Sequence, residues 1–245
     1  MIRVGVVGAS GYSGAVAARL VESHPRLCLA FATSDRLAGE SVAAHLGLSV
    51  RSDARFVPNA AALDHADACD AVLLATAADV SVRLAPAFAE RGRAVVDLSG
   101  AFRLEASAYP RWYGFEHASP AWLERAHYGL PELFPLPRPE TAGALVANPG
   151  CYPTAALLAL GPLVREGLVE PAGIVVDAKS GVTGAGRQSG DAYSFVAVEG
   201  DLRAYRVLAH QHTPEITRAL SRLAAGVKLT FTAHLLPVAR GLLAT

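Results

Sequence analysis

The sequence has few cysteines, no excess of charge of either sign and no long apolar run. Three cysteines, an odd number in 245 residues, argue against a disulfide framework. Acidic and basic side chains balance at 22 each, so no bulk field attracts nucleic acid or anionic lipid. Apolar runs stay below the ~20 residues that span a bilayer, and MIRVGVVG enters a strand pattern at once, without the segments of a signal peptide. We therefore expect a soluble, cytoplasmic protein with reduced thiols.

Short apolar runs alternate with helical patterns over the first hundred residues, in a chain long enough to bury a substantial core. Strands are predicted at 2–7, 27–33, 71–76 and 94–99, and helices at 12–24 and 80–92. Buried strands that read as continuous apolar runs between helices are typical of a parallel sheet with helices on both faces. The pattern predicts an α/β fold that begins with a Rossmann-like, doubly wound parallel sheet.

The second half of the chain has a different organisation. Residues 100–142 form a long connection rich in proline, tyrosine and tryptophan, which favours an ordered, functional segment. Beyond it, strands are predicted at 143–147, 173–179, 193–198, 204–209 and 228–235, helices at 153–166 and 214–224, and a glycine-rich loop at 181–190. We expect a dinucleotide-binding domain over 1–148 and an α+β catalytic domain over 149–245.

A glycine-rich loop follows the first predicted strand. In VVGASGYSG, Gly8, Gly11 and Gly14 have the spacing G-x-x-G-x-x-G between a strand and a helix. Such a loop allows a tight turn and a close approach of main-chain N–H groups to a pyrophosphate, which the helix N-terminus also attracts. A turn that binds nothing is the alternative for glycine triplets alone, but the position of Gly8 at the very end of the strand favours dinucleotide binding. The same loop contributes Ser10, Tyr12 and Ser13 to the predicted cofactor site.

The end of the second predicted strand bears on which dinucleotide binds. An acidic residue there suits the ribose 2′-hydroxyl of NAD, whereas Ser, Thr and Arg suit the 2′-phosphate of NADP. The residues are Thr33, Ser34, Asp35 and Arg36. Ser34 and Arg36 favour NADP and Asp35 favours NAD, so we predict NADP and keep NAD as the alternative.

Cys151 lies in ANPGCYPT, where a turn over 148–150 precedes a predicted helix. Proline is tolerated in the first turn of a helix, because its missing N–H costs no helical hydrogen bond. A helix N-terminus stabilises a thiolate, and its N–H groups can stabilise the oxyanion of an attacked carbonyl. Cys28, within an apolar strand, and Cys69, at a strand entry, fit inert buried thiols. A buried small residue is the alternative for Cys151, but the strand–turn–helix junction favours a nucleophile.

A thiol nucleophile needs an imidazole partner, and LAHQHTPEI offers two. His210 and His212 are alternate residues on one face of a predicted extended segment, before a helix that starts near Pro214. Glu215, in the first turn of that helix, is placed to orient an imidazole. H-x-H is also a metal-ligand spacing, but no set of Cys, His and Asp completes a site, so no metal is predicted.

Two further segments supply candidate site residues. The loop AKSGVTGAGR over 178–187 contains Ser180, Gly181 and Gly184. Such a loop brings main chain close to a flat ring or a phosphate, or it is a flexible hairpin connection, and the residues alone leave both open. His234 and Arg240 are weaker candidates for substrate contact.

The motifs GASGYSG, DLSGAFRL, WYG, YGLPEL, ANPGCYPT, KSGVTGAGR, HQHTPEI and HLLPVARG occur in this order along the chain. Together they resemble the N-acetyl-γ-glutamyl-phosphate reductase family, the arginine-biosynthesis relatives of aspartate-semialdehyde dehydrogenase. The resemblance covers essentially the whole chain. ANPGCYPT, followed by Gly-Pro at 161–162, is highly specific, and HQHTPEI separates the family from its relatives.

The resemblance implies NADPH-dependent reductive dephosphorylation of an acyl phosphate. Cys151 would attack the acyl carbonyl, phosphate would leave, and hydride from NADPH would reduce the thioester to the semialdehyde. His210 matches the family's acid–base histidine, and His212 and Glu215 match its supporting residues. Arg103, in GAFRL, would hold the phosphate or carboxylate of the substrate. The resemblance places Gly8, Ser10, Gly11, Gly14 and Ser34 on the nucleotide loops and Ser180, Gly181 and Gly184 beside the nicotinamide.

The resemblance also implies a small-molecule substrate and a homo-oligomer, a dimer or tetramer built on second-domain sheets. The family continues for roughly a hundred residues beyond VARG, so we expect the second domain to be incomplete here, with an unpaired sheet face and edge. The alternatives are a paralogue that reduces an aminoadipyl phosphate, a truncated NADP-binding protein without turnover, and a dehydrogenase without covalent catalysis.

Overall fold

The computed structural model describes residues 1–47, 54–136, 142–187 and 190–245, apart from the side chain of Phe195. Residues 137–141 of the predicted connection and 188–189 of the predicted glycine-rich loop lie outside the described residues. The strands are β1 (Ile2–Val7), β2 (Leu27–Ala32), β3 (Ala71–Leu74), β4 (Ala94–Asp97), β5 (His127–Tyr128), β6 (Leu145–Ala147), β7 (Ala172–Gly181), β8 (Arg203–Tyr205), β9 (Lys228–Leu236) and β10 (Leu242–Ala244). The helices are α1 (Tyr12–Ser23), α2 (Val42–Leu46), α3 (Ala78–Glu90), α4 (Tyr109–Tyr113), α5 (Pro120–Arg125), α6 (Cys151–Arg165), α7 (Phe195–Val198) and α8 (His212–Ser221). Within these described ranges, none of the helices has the length and apolar character needed to cross a membrane.

The chain divides into two compact units. The first comprises Met1–Ala106, His117–Gly129 and Leu136–Asn148. The second comprises Ser107–Glu116, Leu130–Pro135 and Pro149–Thr245. Part of the long connection belongs to the second unit because it packs on α6, where the Arg165 guanidinium donates to the Leu133 carbonyl oxygen at 2.7 Å.

In the described residues, the first unit is built on a six-stranded sheet in the order β2-β1-β3-β4-β6-β5. Every pairing in that sheet is parallel. Val6 and Val7 belong to two different buried clusters, one packed on α1 and one on α3, because successive side chains of a strand point to opposite faces. The predicted doubly wound parallel sheet is confirmed.

The second unit has, within the described ranges, a four-stranded mixed sheet in the order β10-β7-β9-β8. β7 and β9 are parallel, whereas β8 and β10 are antiparallel to their neighbours. Val176, Ala178, Phe231 and Ala233 are buried on the sheet face that packs against α6 and α8. A mixed sheet with helices on one face agrees with the predicted α+β character.

Two strand predictions of the second half are wrong. Residues 193–198 contain the end of a 3-10 turn and helix α7, because a short apolar run has no periodicity that separates strand from helix. The strand predicted over 204–209 ends at Tyr205, since Arg206 and Leu208 have φ of 47° and 57°, outside the strand region. The three-residue strand β10 has no counterpart among the predictions.

Candidate active site

Cys151 is the first residue of α6 and is exposed. Gly150 before it has extended backbone, with φ −64° and ψ 161°, and caps the helix without a side-chain hydrogen bond. Cys69 is fully buried, with its Sγ 3.4 Å from the Ala66 carbonyl oxygen, and Cys28 is half-buried. Burial raises the pKa of the Cys69 thiol. The position of Cys151 therefore suits a reactive thiol, whereas that of Cys69 suits an inert one.

The first turn of α8 packs against Gly150. Glu215 is 1% exposed, and its Oε1 accepts a hydrogen bond from the Gly150 N–H at 2.9 Å. A Cβ at position 150 would lie 2.4 Å from His212 Nε2, so the imidazole fills space that only glycine leaves open. The Glu215 carboxylate thus binds the main chain next to Cys151, and its predicted role in orienting an imidazole stays a prediction.

His210 is enclosed by four aromatic or imidazole rings. Its ring centroid lies 4.7 Å from that of His212, 5.2 Å from Phe231, 5.5 Å from Tyr205 and 5.9 Å from Tyr152. Burial, reinforced by the neighbouring His212, lowers the pKa of His210 to about 3. The main-chain N–H of His212 donates to His210 Nδ1 at 3.1 Å, which assigns the proton of the neutral ring to Nε2. His210 is therefore a neutral imidazole whose remaining polar group is an Nε2–H donor.

The sequence pattern predicted that the two histidines lie on an extended segment, and the structure shows that they do not. Residues 206–209 form turns, and α8 begins at His212 rather than near Pro214. The left-handed backbone at Arg206 and Leu208 turns the chain before His210 and brings the two rings together. Among the described residues, neither histidine belongs to a group of three or more His, Cys, Asp or Glu side chains that could hold a metal ion.

Sequence reasoning misses two tyrosines of this cluster. Tyr152 is 2% exposed, and its hydroxyl lies 3.2 Å from the Tyr205 hydroxyl. Tyr205 pairs with Ala233 across β8 and β9, so it faces the side of the sheet on which α6 packs. The only sequence signal for Tyr152 is its place directly after Cys151. Tyr205 becomes visible only through the sheet register.

The loop after β7 is held by hydrogen bonds rather than forming a flexible hairpin. Ser180 and Gly181 end the strand and are buried. A Cβ at Gly181 would lie 2.6 Å from the Val238 carbonyl oxygen, and the Val182 N–H donates to that same oxygen at 2.9 Å. Gly184 sits in a 3-10 turn, where the nearest atom to a Cβ would be Ser180 Oγ at 3.7 Å. The loop is therefore closely packed at Gly181 and has room for a side chain at Gly184.

His234 does not lie on the sheet face that packs against α6, whose first residue is Cys151. His234 pairs with Lys179 on β7, on the face opposite the buried Ala178 and Ala233. Its Nδ1 lies 3.0 Å from the Asp177 carboxylate, which also binds Lys179 Nζ at 2.5 Å. Arg240 is exposed. Substrate contact by these two residues stays a prediction.

In the first unit, main-chain atoms approach the glycines of the loop after β1 closely. Gly8 has φ +80°, and a Cβ there would lie 2.5 Å from the Ala75 carbonyl oxygen. A Cβ at Gly14 would lie 2.3 Å from the Gly8 carbonyl oxygen. Gly11 is the N-cap of α1, and the predicted contacts Tyr12 and Ser13 are its first two residues. The loop thus leaves the N-terminus of α1 accessible to an anion.

At the end of β2, two of the residues that bear on the choice between NAD and NADP form hydrogen bonds within the protein. Ser34 is buried and donates from Oγ to Ser10 Oγ at 2.8 Å, which holds the strand end to the glycine loop. Asp35 accepts two hydrogen bonds from Asn59, from its N–H at 2.7 Å and its side-chain amide at 2.8 Å. Arg36 is exposed. The Asp35 carboxylate, which favours NAD, therefore already binds Asn59, although Asp35 and the Arg36 that favours NADP are both exposed.

Arg103 is buried and holds main chain. Its Nε donates to the Asn148 carbonyl oxygen at 2.8 Å and its Nη2 to the Leu98 carbonyl oxygen at 2.9 Å. Asp97 in the same region is fully buried, and burial raises its pKa, although the Ser99 hydroxyl donates to it at 2.8 Å. Arg103 thus binds two main-chain carbonyl groups, and its contact with substrate stays a prediction.

Comparison with known proteins covers nearly the whole chain. Residues 3–137 match the family model for the semialdehyde dehydrogenase NAD binding domain, and residues 151–245 match that for the semialdehyde dehydrogenase dimerisation domain. The N-acetyl-gamma-glutamyl-phosphate reductase of Magnetococcus marinus is 43% identical over 252 residues, which cover 100% of this chain and 70% of that protein. The enzyme of the same name from Geobacillus stearothermophilus is 45% identical over 260 residues, which cover 100% of this chain and 71% of that protein. The chain belongs to the N-acetyl-gamma-glutamyl-phosphate reductase family. It spans about 70% of the length of these relatives of the reductase family.

Solved structures that are more distant in sequence share the fold. Aspartate semialdehyde dehydrogenase II from Vibrio cholerae, complexed with ASA, has a TM-score of 0.68 at 17% identity, over 99% of this chain and 72% of that one. Aspartate semialdehyde dehydrogenase from Candida albicans, with NADP, has a TM-score of 0.63 at 16% identity, over 99% and 69%. The family and the fold class inferred from the motifs are thus confirmed.

Proposed function

We propose that this member of the reductase family converts N-acetyl-γ-glutamyl phosphate to N-acetylglutamate semialdehyde with NADPH, in arginine biosynthesis, through a thioester on Cys151. Relatives of that name match this whole chain at 40% to 45% identity. The observation that carries the mechanism is the exposed Cys151 thiol at the N-terminus of α6, on the same unit as the neutral His210.

Cys151 acts as the nucleophile. Its thiolate attacks the acyl carbon, the new C–S bond replaces the C–O bond to phosphate, and phosphate leaves with the bonding electron pair. The partial positive charge at the N-terminus of α6 stabilises both the thiolate and the oxyanion of the attacked carbonyl. Gly150, held by Glu215, fixes the start of the helix and with it the direction of the thiol.

His210 acts as a hydrogen-bond donor rather than as a permanent imidazolium partner of the thiolate. Its pKa of about 3 means that the ring is neutral at physiological pH. The His212 N–H fixes the tautomer in which Nε2 carries the proton. That N–H can stabilise the negative charge that develops on the substrate oxygen when the thioester is reduced.

The first unit holds the dinucleotide. Gly8 and Gly14 allow the loop to pack tightly against main chain, with which a Cβ at either position would collide. The N-terminus of α1 that follows this loop would attract the pyrophosphate. Arg36 is placed to bind a 2′-phosphate, because Asp35 already accepts from Asn59. Bound NADPH would supply the hydride that reduces the thioester.

Self-association and a cytoplasmic location belong to the same proposal. The family model that matches residues 151–245 is described as a dimerisation domain. The face of the second sheet opposite α6 and α8 carries Val175 and Leu243, which are 67% and 61% exposed. We assign the dimer contact to this face. Three free cysteines fit a reducing compartment.

The test is the reverse reaction, phosphate-dependent oxidation of N-acetylglutamate semialdehyde with NADP⁺, followed by the absorbance of NADPH. Cys151→Ser should lower kcat by roughly 10³-fold or more, because the nucleophile is lost. Cys28→Ser and Cys69→Ser, compared per mole of folded protein, should stay near wild type. Substantial activity in Cys151→Ser would indicate a dehydrogenase without covalent catalysis. Thermal protection by NADPH without turnover of the wild type would indicate a binding protein.

A further inference from the structure

An acidic residue follows the end of β2, and a chain that takes NADP has to accommodate it. β2 ends at Ala32, and Asp35 comes three residues later and is exposed. A carboxylate at this place suits the ribose 2′-hydroxyl of NAD. The same negative charge repels the 2′-phosphate of NADP. Another group of the protein must therefore hold the Asp35 carboxylate when NADP binds.

Asn59 holds both oxygens of that carboxylate. Its main-chain N–H donates to Asp35 Oδ1 at 2.7 Å, and its side-chain amide donates to Asp35 Oδ2 at 2.8 Å. Asn59 is the first residue of the 3-10 helix Asn59–Ala68, and the partial positive charge at the N-terminus of a helix favours an anion. These two hydrogen bonds therefore direct the carboxylate towards the start of the 3-10 helix.

The oxygen of the Asn59 side chain is fixed by Thr33. The Thr33 hydroxyl accepts a hydrogen bond from the Gly8 N–H at 3.0 Å and donates to Asn59 Oδ1 at 2.5 Å. A carboxylate only accepts, so the NH₂ of the amide has to face Asp35 and its oxygen has to face the Thr33 hydroxyl. Thr33 is fully buried, and its carbonyl oxygen accepts from the Ala9 N–H at 2.9 Å. The glycine loop thus sets the orientation of the amide that binds Asp35.

Main-chain hydrogen bonds keep Asn59 beside the end of β2. The Ser34 N–H donates to the Val57 carbonyl oxygen at 2.9 Å, and the Val57 N–H donates to the Ala32 carbonyl oxygen at 3.0 Å. Residues 32–34 and residue 57 are therefore paired before the chain reaches the 3-10 helix. The contact between Asp35 and Asn59 is part of this pairing, and it does not depend on two surface side chains that meet without support.

We propose that Asn59 is a specificity-determining residue, which binds the Asp35 carboxylate and so lets the end of β2 accept the 2′-phosphate of NADP. The assignment rests on the proposed function, in which the first unit holds that dinucleotide. With a donor already on each oxygen, the carboxylate is a poorer acceptor for a 2′-hydroxyl, and its charge is directed towards the 3-10 helix. The guanidinium of Arg36, which is exposed and in no ion pair with the described residues, is then the charge that a 2′-phosphate meets.

The test measures the dissociation constants of NADPH and NADH, which carry the same reduced nicotinamide, from the fluorescence of the bound dinucleotide. Asn59→Leu removes the amide donor to Asp35 with little change in side-chain volume. The ratio of the NADH constant to the NADPH constant should fall about tenfold, because the released carboxylate repels the 2′-phosphate and accepts from the 2′-hydroxyl. In a protein that already carries Asp35→Ala, the same Asn59→Leu change should alter the ratio by less than about twofold, since no carboxylate is left to release.

Thr33→Val is the matched control for the other contact of Asn59. It removes the hydroxyl between Gly8 and Asn59, so it should weaken the binding of both dinucleotides by a similar factor and leave the ratio unchanged. An unchanged ratio in folded Asn59→Leu overturns the assignment, and so does a change of equal size in the Asp35→Ala protein. If Asn59→Leu does not fold, Asn59→Ser, which also lacks the amide, takes its place in both comparisons. A wild type that binds neither dinucleotide overturns the proposed function instead.

Discussion

At the scale of single residues, the ionisation of His210 follows from its surroundings rather than from its type. Tyr152, Tyr205 and Phe231 take the place of water around the ring, so a buried imidazolium would lose its solvation, which outweighs the opposite effect of Glu215. The His212 N–H makes protonation still less favourable, because a proton on Nδ1 would face another donor. A histidine that titrates near neutrality in a peptide thus becomes a fixed hydrogen-bond donor.

The depressed pKa of His210 gives a pH dependence of stability with a definite sign. The native pKa of about 3 lies below the ordinary value of 6.5, so at mildly acid pH the unfolded chain takes up a proton that the native chain does not. The free energy of unfolding should therefore fall as the pH drops from 6.5 towards 3. His210→Gln should flatten this dependence in urea unfolding measured at several pH values. The exposed His127, changed to Gln, is the control, and equal slopes for His210→Gln and wild type would contradict the prediction.

At the scale of secondary-structure elements, the catalytic geometry depends on how α8 packs against the start of α6. Glu215 and His212, three residues apart, lie on one face of α8. One binds the Gly150 N–H and the other fills the space where a side chain at 150 would be. The two helix N-termini are fixed to each other through a single glycine.

Gly150→Ala tests this contact between the helices. The backbone of Gly150, with φ −64° and ψ 161°, suits alanine, so the effect arises only from the methyl group meeting His212. We expect a loss of about 1–3 kcal/mol in the free energy of unfolding, as for overpacking. We also expect kcat to fall roughly tenfold to hundredfold, because Cys151 and His212 are displaced.

Gly190→Ala is the matched control for the change at Gly150. Its φ is −69°, and no atom lies within 4 Å of a Cβ built there. Chemical denaturation measures the free energy of unfolding of both variants, and steady-state kinetics measures their kcat. A Gly150→Ala protein with the stability and kcat of Gly190→Ala would show that the His212 ring moves aside without consequence.

At the scale of the whole molecule, the two sheets differ in how many of their faces are buried. The parallel sheet has buried clusters on both faces. In the mixed sheet, one face is buried under α6 and α8, and the other presents the Asp177, Lys179 and His234 ion pairs. Lys179 donates to Asp177 and lowers the pKa of that carboxyl. Val175 and Leu243 flank these charges as exposed apolar side chains, which is the arrangement that the proposed dimer contact requires.

Val175→Glu tests the proposed dimer. A carboxylate at this apolar edge of the contact loses solvation, and the cations on the same face, Lys179 and His234, already bind Asp177. The variant should therefore dissociate at protein concentrations at which wild type is dimeric. Sedimentation velocity over a range of concentrations provides the measurement. Val196→Glu is the control, since Val196 is 89% exposed on α7 and belongs to none of the strands of that sheet. A wild type that is monomeric throughout, or a Val175→Glu protein that stays dimeric, would contradict the assignment of this face.

The parallel sheet and the glycine loop can be predicted from the sequence because both depend on local sequence patterns. Apolar runs between helical patterns predict the parallel sheet, since a strand buried on both faces has no polar side. Gly8 and Gly14 are recognisable because each occupies a place in which a Cβ would meet main chain. Segments of two or three residues such as β5 and β10 escape prediction, because their pairing depends on a distant strand and not on their own composition.

The sequence by itself determined the fold class, the family, the nucleotide loop and Cys151 as the candidate nucleophile, because each rests on spacing along the chain. Only the tertiary structure decided that Glu215 binds the Gly150 main chain, that His210 is neutral, and that Tyr205 joins the cluster. These properties arise from burial and from contacts between residues far apart in sequence. Ionisation and hydrogen-bond direction depend on what surrounds a group in space, and spacing along the chain does not record it.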